Sequence, residues 1–401
     1  MKSEWKMMPL QDFVEFNPKE VLKKGAFAKK VPMEALTPFQ RQIAHCEKAF
    51  YQGGTKFRNG DTIMARITPC LENGKAAFVS IFDADEVGFG STEYVVFRAK
   101  EGISDAMFVY YLVRSDVVRL PAIKSMVGSS GRQRVQDDVL RKLDLNLPSL
   151  PTQRKIAAIL SALDDKIENN NAICKNLEEQ LKCLFDLRFR NMIDSSGMSQ
   201  YTPLASLCER ITKGTTPTTL GLPFVDEGIN FIKAESITDK HIFDWHRFAK
   251  IGPDTHTALN RSQLSENDIL FSIAGTLGRF SLVDKTILPA NTNQAVAIIR
   301  ADKNKVEPEY LYSFFLAGWH HEYCQKRVQQ AVQANLSLTT IKSMPIIMLD
   351  EPARREYVAQ ISPIMQMISQ RQLENRSLAI LRDALLPKLM SGEIEVDKVA
   401  I

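Results

Sequence analysis

From Leu160 onward, apolar positions return at alternating spacings of three and four: Leu160, Leu163, Ile167, Asn170, Cys174, Leu177, Leu181 and Leu184. That is the a/d seam of a coiled coil, held for three heptads. It lies in a stretch, Gln153–Phe185, with neither glycine nor proline. Pro151 stands where a first helical turn tolerates it, and Glu178–Lys182 and Asp186–Arg190 are i,i+4 pairs in the favourable order. A lone helix with an exposed apolar stripe is unstable, so the seam calls for a partner. The same spacing recurs at Ile361, Ile364, Ile368, Arg371, Asn375, Leu378, Arg382 and Leu385, displaced by a constant 201 residues (364 − 163 = 201). Two matched seams in one chain most simply pair with each other, antiparallel; the competing reading is two unrelated helices on separate cores. Pro363 is expected to kink or delay the second helix. Asn170 opposite Arg371 or Asn375 is expected to fix the register.

The repeat extends upstream. "GDTIMARITPCLENGKAAFV" (60–79) parallels "NDILFSIAGTLGRFSLV" (267–283), matching Asp61 to Asp268 and Gly74-Lys75 to Gly278-Arg279. "EYVVFRA" (93–99) answers "AVAIIRA" (295–301), and "MFVYYLVRS" (107–115) answers "EYLYSFFLAG" (309–318). The first two pairs read as strands and the third as an amphipathic helix. The fold class expected is α+β: two globular α/β domains in tandem, separated by two long helices that form an antiparallel coiled coil, with a pseudo-twofold internal repeat. The expected divisions are 1–148, first globular domain; 149–194, first spacer helix; 195–349, second globular domain; and 350–401, second spacer helix and tail.

At 401 residues the chain exceeds what one core usually serves. With 44% hydrophobic and 24% charged residues it is of globular type. No apolar run approaches the roughly 20 residues that span a bilayer, and the N-terminus lacks a signal-peptide core; no membrane role and a cytoplasmic location are expected. The six cysteines form no C-x-x-C pair, so neither a zinc ribbon nor a redox motif is suggested. The net charge of +4 permits an anionic partner without indicating one. "FNPKE" (16–20) lacks the second proline and the aromatic of an amino-methylating loop, and there is no G-x-x-x-x-G-K-[ST] phosphate loop. Asp83, Asp85, Glu86 and Glu93 cluster without a lysine at a nuclease spacing and read as a solvated acidic loop. His320-His321, after Trp319, reads as packing rather than metal ligation.

The proline-led "LPSLPTQRKIAAILSALDDKIENNNAICKNLEEQ", the C-terminal "LRDALLPKLMSGEI" and the paired "GD…G-K" and "ND…G-R" segments give nearly the whole chain a resemblance. It is similar to the specificity (S) subunits of type I restriction–modification systems. The resemblance implies two target recognition domains, a spacer coiled coil that docks methylation (M) subunits, expected to number two, and restriction (R) subunits joined through the assembled complex. It implies a non-catalytic chain that binds double-stranded DNA at an asymmetric bipartite site. It implies no cofactor on this chain, with S-adenosylmethionine, ATP and Mg on the partner subunits. A helix of about 33 residues is roughly 50 Å long, which corresponds to about 12–15 base pairs between half-site centres. Extra apolar positions Ile156, Ile173 and Phe185 and the tail "LLPKLMSGEI" are expected to offer the docking surface.

Phosphate contact suits lysine and arginine, and base edges suit Arg, Gln and Asn. "GSSGRQRVQ" (128–136) offers Arg132 and Arg134 for guanine and Gln133 for adenine; its equivalent, "QQAVQANLS" (329–337), offers Gln330, Gln333 and Asn335. Lys56 and Arg58 lie beside glycines in "YQGGTKFRNGD", and Lys213 and Thr215 lie in "ITKGTTPTT"; Lys75 and Arg279 share an equivalent strand-end position. Each is also readable as a plain polar turn. Two function classes stay open beside DNA recognition: a fused nuclease or methylase, and a coiled-coil scaffold joining two protein-binding domains.

Overall fold

The structure is a computed structural model and describes residues 5–129, 131–195, 201–328 and 335–396. The chain divides into two compact units, one formed by residues 1–169 with 375–401 and the other by residues 170–374.

In the first unit, β2 (Val14–Phe16), β9 (Tyr94–Ala99), β6 (Thr62–Ala65) and β7 (Ala76–Phe78) form an antiparallel sheet in that order. A second sheet runs β4 (Glu47–Phe50), β3 (Phe27–Val31), β8 (Val87–Gly90), β5 (Thr55–Arg58), with β3 and β8 parallel. The strand period of two splits the first sheet between two cores. Met64, Val95 and Phe97 pack with the helix Ala106–Arg114, while Ile63, Tyr94 and Val96 pack with Val31, Phe57 and Phe82. Burial on both faces explains why these strands read as continuous apolar runs. β1 (Lys6–Pro9) pairs with β10 (Asp144–Leu147), which leads into the first long helix, Leu150–Ser195.

The second unit repeats this topology. β12 (Cys208–Lys213), β18 (Val296–Ala301), β15 (Ile269–Ser272) and β16 (Phe280–Leu282) form the antiparallel sheet in the same order. β14 (Ala249–Ile251), β13 (Ile229–Ile232) and β17 (Ala290–Thr292) form the second sheet, again with one parallel pair. The counterpart of β5 is reduced to a single bridge between Gln263 and Asn291. β11 (Tyr201–Pro203) pairs with β19 (Pro345–Ile347), which precedes the second long helix, Glu351–Met390.

The correspondence reaches individual bonds. Val135 N–H donates to the Arg66 carbonyl at 2.9 Å, and Leu336 N–H to that of Ile273 at 2.9 Å. Leu10 N–H donates to Leu143 at 2.9 Å, and Leu204 N–H to Met344 at 2.8 Å. Asp61, 1% exposed, takes a two-pronged bond from Arg98 (2.6 and 2.7 Å). Asp268, fully buried, takes one from Arg300 (2.7 and 2.7 Å). Each carboxylate also accepts a backbone N–H three residues upstream, from Arg58 and Ser265. Such bonds satisfy the buried charge that would otherwise be costly.

Both long helices contribute to both units, and they pair antiparallel. In the first unit Ile156, Ala157, Ile159 and Leu160 share a core with Leu386, Leu389 and Met390, and Arg382 Nη1 donates to Asp164 Oδ1 at 2.6 Å. In the second, Cys174, Leu177, Leu181, Phe185 and Phe189 share a core with Tyr357, Ile361, Met365 and Ile368, with the Phe189 and Tyr357 rings 5.3 Å apart. The seam is wider than the heptad pattern. Leu163, Ile167, Leu184, Ile364, Leu378 and Leu385 are half-buried, and Phe185, Phe189, Leu386 and Leu389 are buried in addition. Each helix faces a globular core as well as its partner, which broadens the apolar stripe.

One expectation is corrected. Pro363 does not interrupt the second helix, which is continuous over Glu351–Met390. Pro363 and Ala359 are both exposed, so the carbonyl that loses its bond faces water, while Ile361, Met365 and Ile368 anchor the buried side. The Asn170 amide donates to Glu374 at 2.9 Å, and Glu374 also takes Arg371 at 2.9 Å, so Asn170 and Arg371 share one carboxylate.

Candidate nucleic-acid interface

In the first unit, residues 127–134 close a small hairpin, with Val127 and Arg134 exchanging backbone bonds of 3.0 and 2.9 Å. Gly128 and Gly131 take φ of 135° and 78° in the turn, the left-handed region that glycine enters without penalty. The hairpin leans on the end of β6, where Thr68 N–H donates to the Gln133 carbonyl at 3.1 Å. Arg134 directs its fork at Glu93 (2.6–3.0 Å), and that bonding holds the Glu93 carboxyl below its usual range. Arg132 is exposed and Gln133 half-buried. The corresponding segment of the second unit lies largely outside the described residues, including Gln330 and Gln333; Asn335 is exposed, just before Leu336.

The remaining candidates divide by what already engages them. Lys75 Nζ donates to the Met33 carbonyl at 2.9 Å, and Arg279 Nη1 to that of Ile237 at 3.1 Å. Both tie a β-hairpin to a 3-10 turn between strands, Met33–Ala35 in one unit and Ala234–Ser236 in the other. Lys56 lies 5.7 Å from the Tyr51 ring centroid, a cation–π distance. Arg58 is exposed, 3.6 Å from Glu20. Lys213 is exposed at the end of β12; Thr215 is half-buried, its N–H on the Thr292 carbonyl at 3.2 Å. Between them Gly214 meets that same carbonyl: a Cβ there would fall 1.9 Å from it.

Three of the four carboxylates in the acidic group are held in ion pairs, and Asp85 is exposed. Lys29 bonds Asp83 and Glu86 at 2.9 Å each, and Glu93 holds Arg134. Among the described residues no cluster of three or more His, Cys, Asp or Glu is arranged to hold a metal. His320 is buried among the rings of Phe271, Phe280 and Phe315, and burial lowers its pKa to about 4. The docking positions expected on the helices need correction. Ile156 and Phe185 are buried at 1% and 3% exposure, Ile173 packs against the second unit's core, and Leu386, Leu389 and Met390 of the tail are buried in the first. Among the described residues, the large apolar side chains the long helices expose are instead Leu187, Met367, Ile380 and Leu381. Sequence reading matched the strands carrying Arg98 and Arg300 without pairing them to Asp61 and Asp268; the signal available was an acid and a base at equivalent places in both copies.

A twice-repeated α/β unit, each copy closed by parts of two antiparallel long helices, defines a tandem-duplicated class of protein. Comparison with known proteins places it further. The family model described as "Type I restriction modification DNA specificity domain" matches residues 2–179 and again residues 199–356. The chain therefore belongs to that family, and its role is that of a specificity subunit. It is 23% identical to the type I restriction enzyme HindI specificity subunit of Haemophilus influenzae, over 98% of this chain and 100% of that one. It is 22% identical to the MjaIX specificity subunit of Methanocaldococcus jannaschii, over 75% and 71%. The crystal structure of a type I restriction–modification S subunit from M. genitalium shares the fold, with a TM-score of 0.54 and 16% identity over 97% of this chain and 96% of that one. No helix among the described residues is long and apolar enough to cross a membrane.

Proposed function

We propose that the chain is the DNA-reading subunit of a type I restriction–modification complex and is itself non-catalytic. Each unit contacts one half of an asymmetric bipartite duplex target, and the paired helices set the gap and hold two methylation subunits. The restriction subunits join through the assembled complex. S-adenosylmethionine, ATP and Mg belong, in this reading, to those partners. The observation that carries it is the duplication: the same strand order in the antiparallel sheets, equivalent buried Asp–Arg pairs and unequal loops. A protein that reads two different half-sites needs a common scaffold with different side chains at its surface. Arg132 and Lys213 are exposed cations able to meet a duplex, and Leu187, Met367, Ile380 and Leu381 supply apolar surface for docking.

Two measurements test it. Binding to random-sequence duplexes should weaken steeply with salt, by about 0.9 in log–log slope per phosphate neutralised. Genome-wide mapping of methylated adenine, with and without the gene, should show one bipartite motif that vanishes on deletion. An unchanged methylome together with salt-independent or absent DNA binding refutes the proposal and favours a protein scaffold.

A further inference from the structure

On the second sheet of the first unit, Phe27 and Phe50 face each other across β3 and β4, ring centroids 5.0 Å apart. They are 59% and 64% exposed and belong to none of the hydrophobic cores. A single exposed phenylalanine is unremarkable, but a pair in tilted contact, 50° between ring planes, on an edge hairpin gives up apolar burial twice at one place. The second unit shows that the fold does not need them. Val31 pairs with Gly90, and Ile232 with Thr292; counting back along the matched strands puts Gly228 at the place of Phe27. Continuing the β13–β14 register one step puts Gly252 at the place of Phe50. One copy thus builds this hairpin end with two glycines and the other with two exposed rings.

The surroundings indicate what the rings meet. Residues 19–58 hold nine lysines and arginines against three glutamates, a net +6, whereas the whole chain carries +4. Some of these cations are neutralised locally: Lys29 by Asp83 and Glu86, Lys30 by Glu47. Lys23, Lys24 and Lys48 are exposed, with no ion pair among the described residues. Lys48 sits two residues before Phe50, and Lys23 and Lys24 directly precede the turn that feeds β3. β4 is the edge strand, so the hairpin has an uncovered side. Aromatic faces interleaved with lysines match stacked bases between phosphates.

We infer that Phe27 and Phe50 form an aromatic wedge that stacks on or parts a base step of duplex DNA, with Lys23, Lys24 and Lys48 on the flanking phosphates. The inference rests on the DNA-reading proposal above and adds to it a particular contact surface and an asymmetry: the first unit distorts its half-site and the second, with glycines there, does not.

The test uses the full chain with its methylation subunits and a duplex carrying the motif defined by the methylome. In Phe27→Ala/Phe50→Ala, affinity should fall roughly ten-fold or more with the salt slope unchanged. Wild type should render a thymine in one half-site reactive to permanganate, which attacks unstacked thymines, and the variant should not. Phe27→Tyr/Phe50→Tyr should restore both. Lys23→Ala/Lys24→Ala/Lys48→Ala should lower the salt slope by about 0.9 per lysine. The positions are exposed, so melting temperatures should match wild type. If wild type binds with a steep salt slope while the double alanine variant matches it in affinity and permanganate pattern, the wedge is refuted and the DNA reading stands. If wild type does not bind duplex at all, both fall. Cosedimentation with phosphatidylglycerol vesicles that depends on the two phenylalanines, without a DNA effect, overturns the wedge in favour of a lipid surface.

Discussion

Replacing Arg382 by methionine should destabilise the first unit and leave the second untouched. Arg382 and Asp164 are 6% and 3% exposed, joined at 2.6 Å. Asp164 has one further bond, from the Tyr111 hydroxyl at 2.6 Å. Asp383, which takes Arg382 Nε at 3.0 Å, keeps Arg114 at 2.8 Å. Loss of the guanidinium therefore leaves one buried carboxylate with a single hydroxyl for company. Breaking a buried pair from one side costs about 3–5 kcal/mol, against a typical domain stability of about 5–15 kcal/mol. Removing both charges behaves differently. Asp164→Leu with Arg382→Met takes away the stranded ion and leaves only the Tyr111 hydroxyl short of a partner, about 1–3 kcal/mol. The double variant should therefore be more stable than the single one. Urea unfolding followed by Trp5 fluorescence, with Trp245 and Trp319 changed to Phe, isolates the first unit; the Trp5 ring lies against Gly392, just past the second long helix. A single variant within about 1 kcal/mol of wild type, or a double variant no better than the single, would refute the reasoning.

Other expectations follow from the same geometry. Burial lowers His241 and His320 in the second unit to about 4. As pH falls through 6.5 the unfolded chain takes protons that these rings refuse, so their contribution is complete above pH 6.5 and lost between 6.5 and 4. One unit of pKa is worth about 1.4 kcal/mol, so the urea midpoint of the second unit, read by Trp319, should drop markedly from pH 7.5 to pH 5; a flat profile contradicts this. Gly214→Ala should destabilise the second unit by about 1–3 kcal/mol, because the new methyl would overlap the Thr292 carbonyl; an unchanged melting curve argues against that crowding. Inserting one heptad after Asn169 and another after Glu374 adds about 10 Å to each helix, so the methylated motif should gain about three unread base pairs at 3.4 Å each; an unaltered gap in the methylome would show that the helices do not measure it.

The sequence made the helices and the duplication legible for a physical reason. A heptad seam needs a partner, and the constant 201-residue shift supplied one inside the chain. Matching Asp61 to Asp268 aligned the strands well enough to predict both copies. What it hid were properties set by distant neighbours. Arg132 and Arg134 are two residues apart and look alike, yet Glu93, 41 positions away, occupies only Arg134. Lys75 and Arg279 look like surface cations, yet both bond carbonyls about forty residues upstream. Phe27 and Phe50 are unremarkable one at a time and become a pair only through the β3–β4 register. Ile156 and Phe185 read as surplus apolar positions because heptad counting does not see the globular core on the helix's other flank.

The division of the helices between units has a consequence for folding. The first unit is assembled from the two ends of the chain: Asp164 finds Arg382, 218 positions away, and Leu160 shares a core with Leu386 and Leu389. A fragment ending at Asn169 holds both sheets of the first unit but lacks the helical segment that covers Ile156 and Leu160 and neutralises Asp164. Buried apolar surface and one buried charge would face water together, and each alone opposes folding. Residues 1–169 should thus give weak or absent cooperative unfolding alone, and regain it when a peptide of residues 375–401 is added at concentrations above its Kd, in proportion to RT ln(1 + [L]/Kd). The same peptide with Arg382→Met should rescue less. Circular dichroism melts of the fragment with each peptide decide the matter: a fragment that melts cooperatively by itself, indifferent to the peptide, would show that the second long helix decorates the first unit rather than completing it.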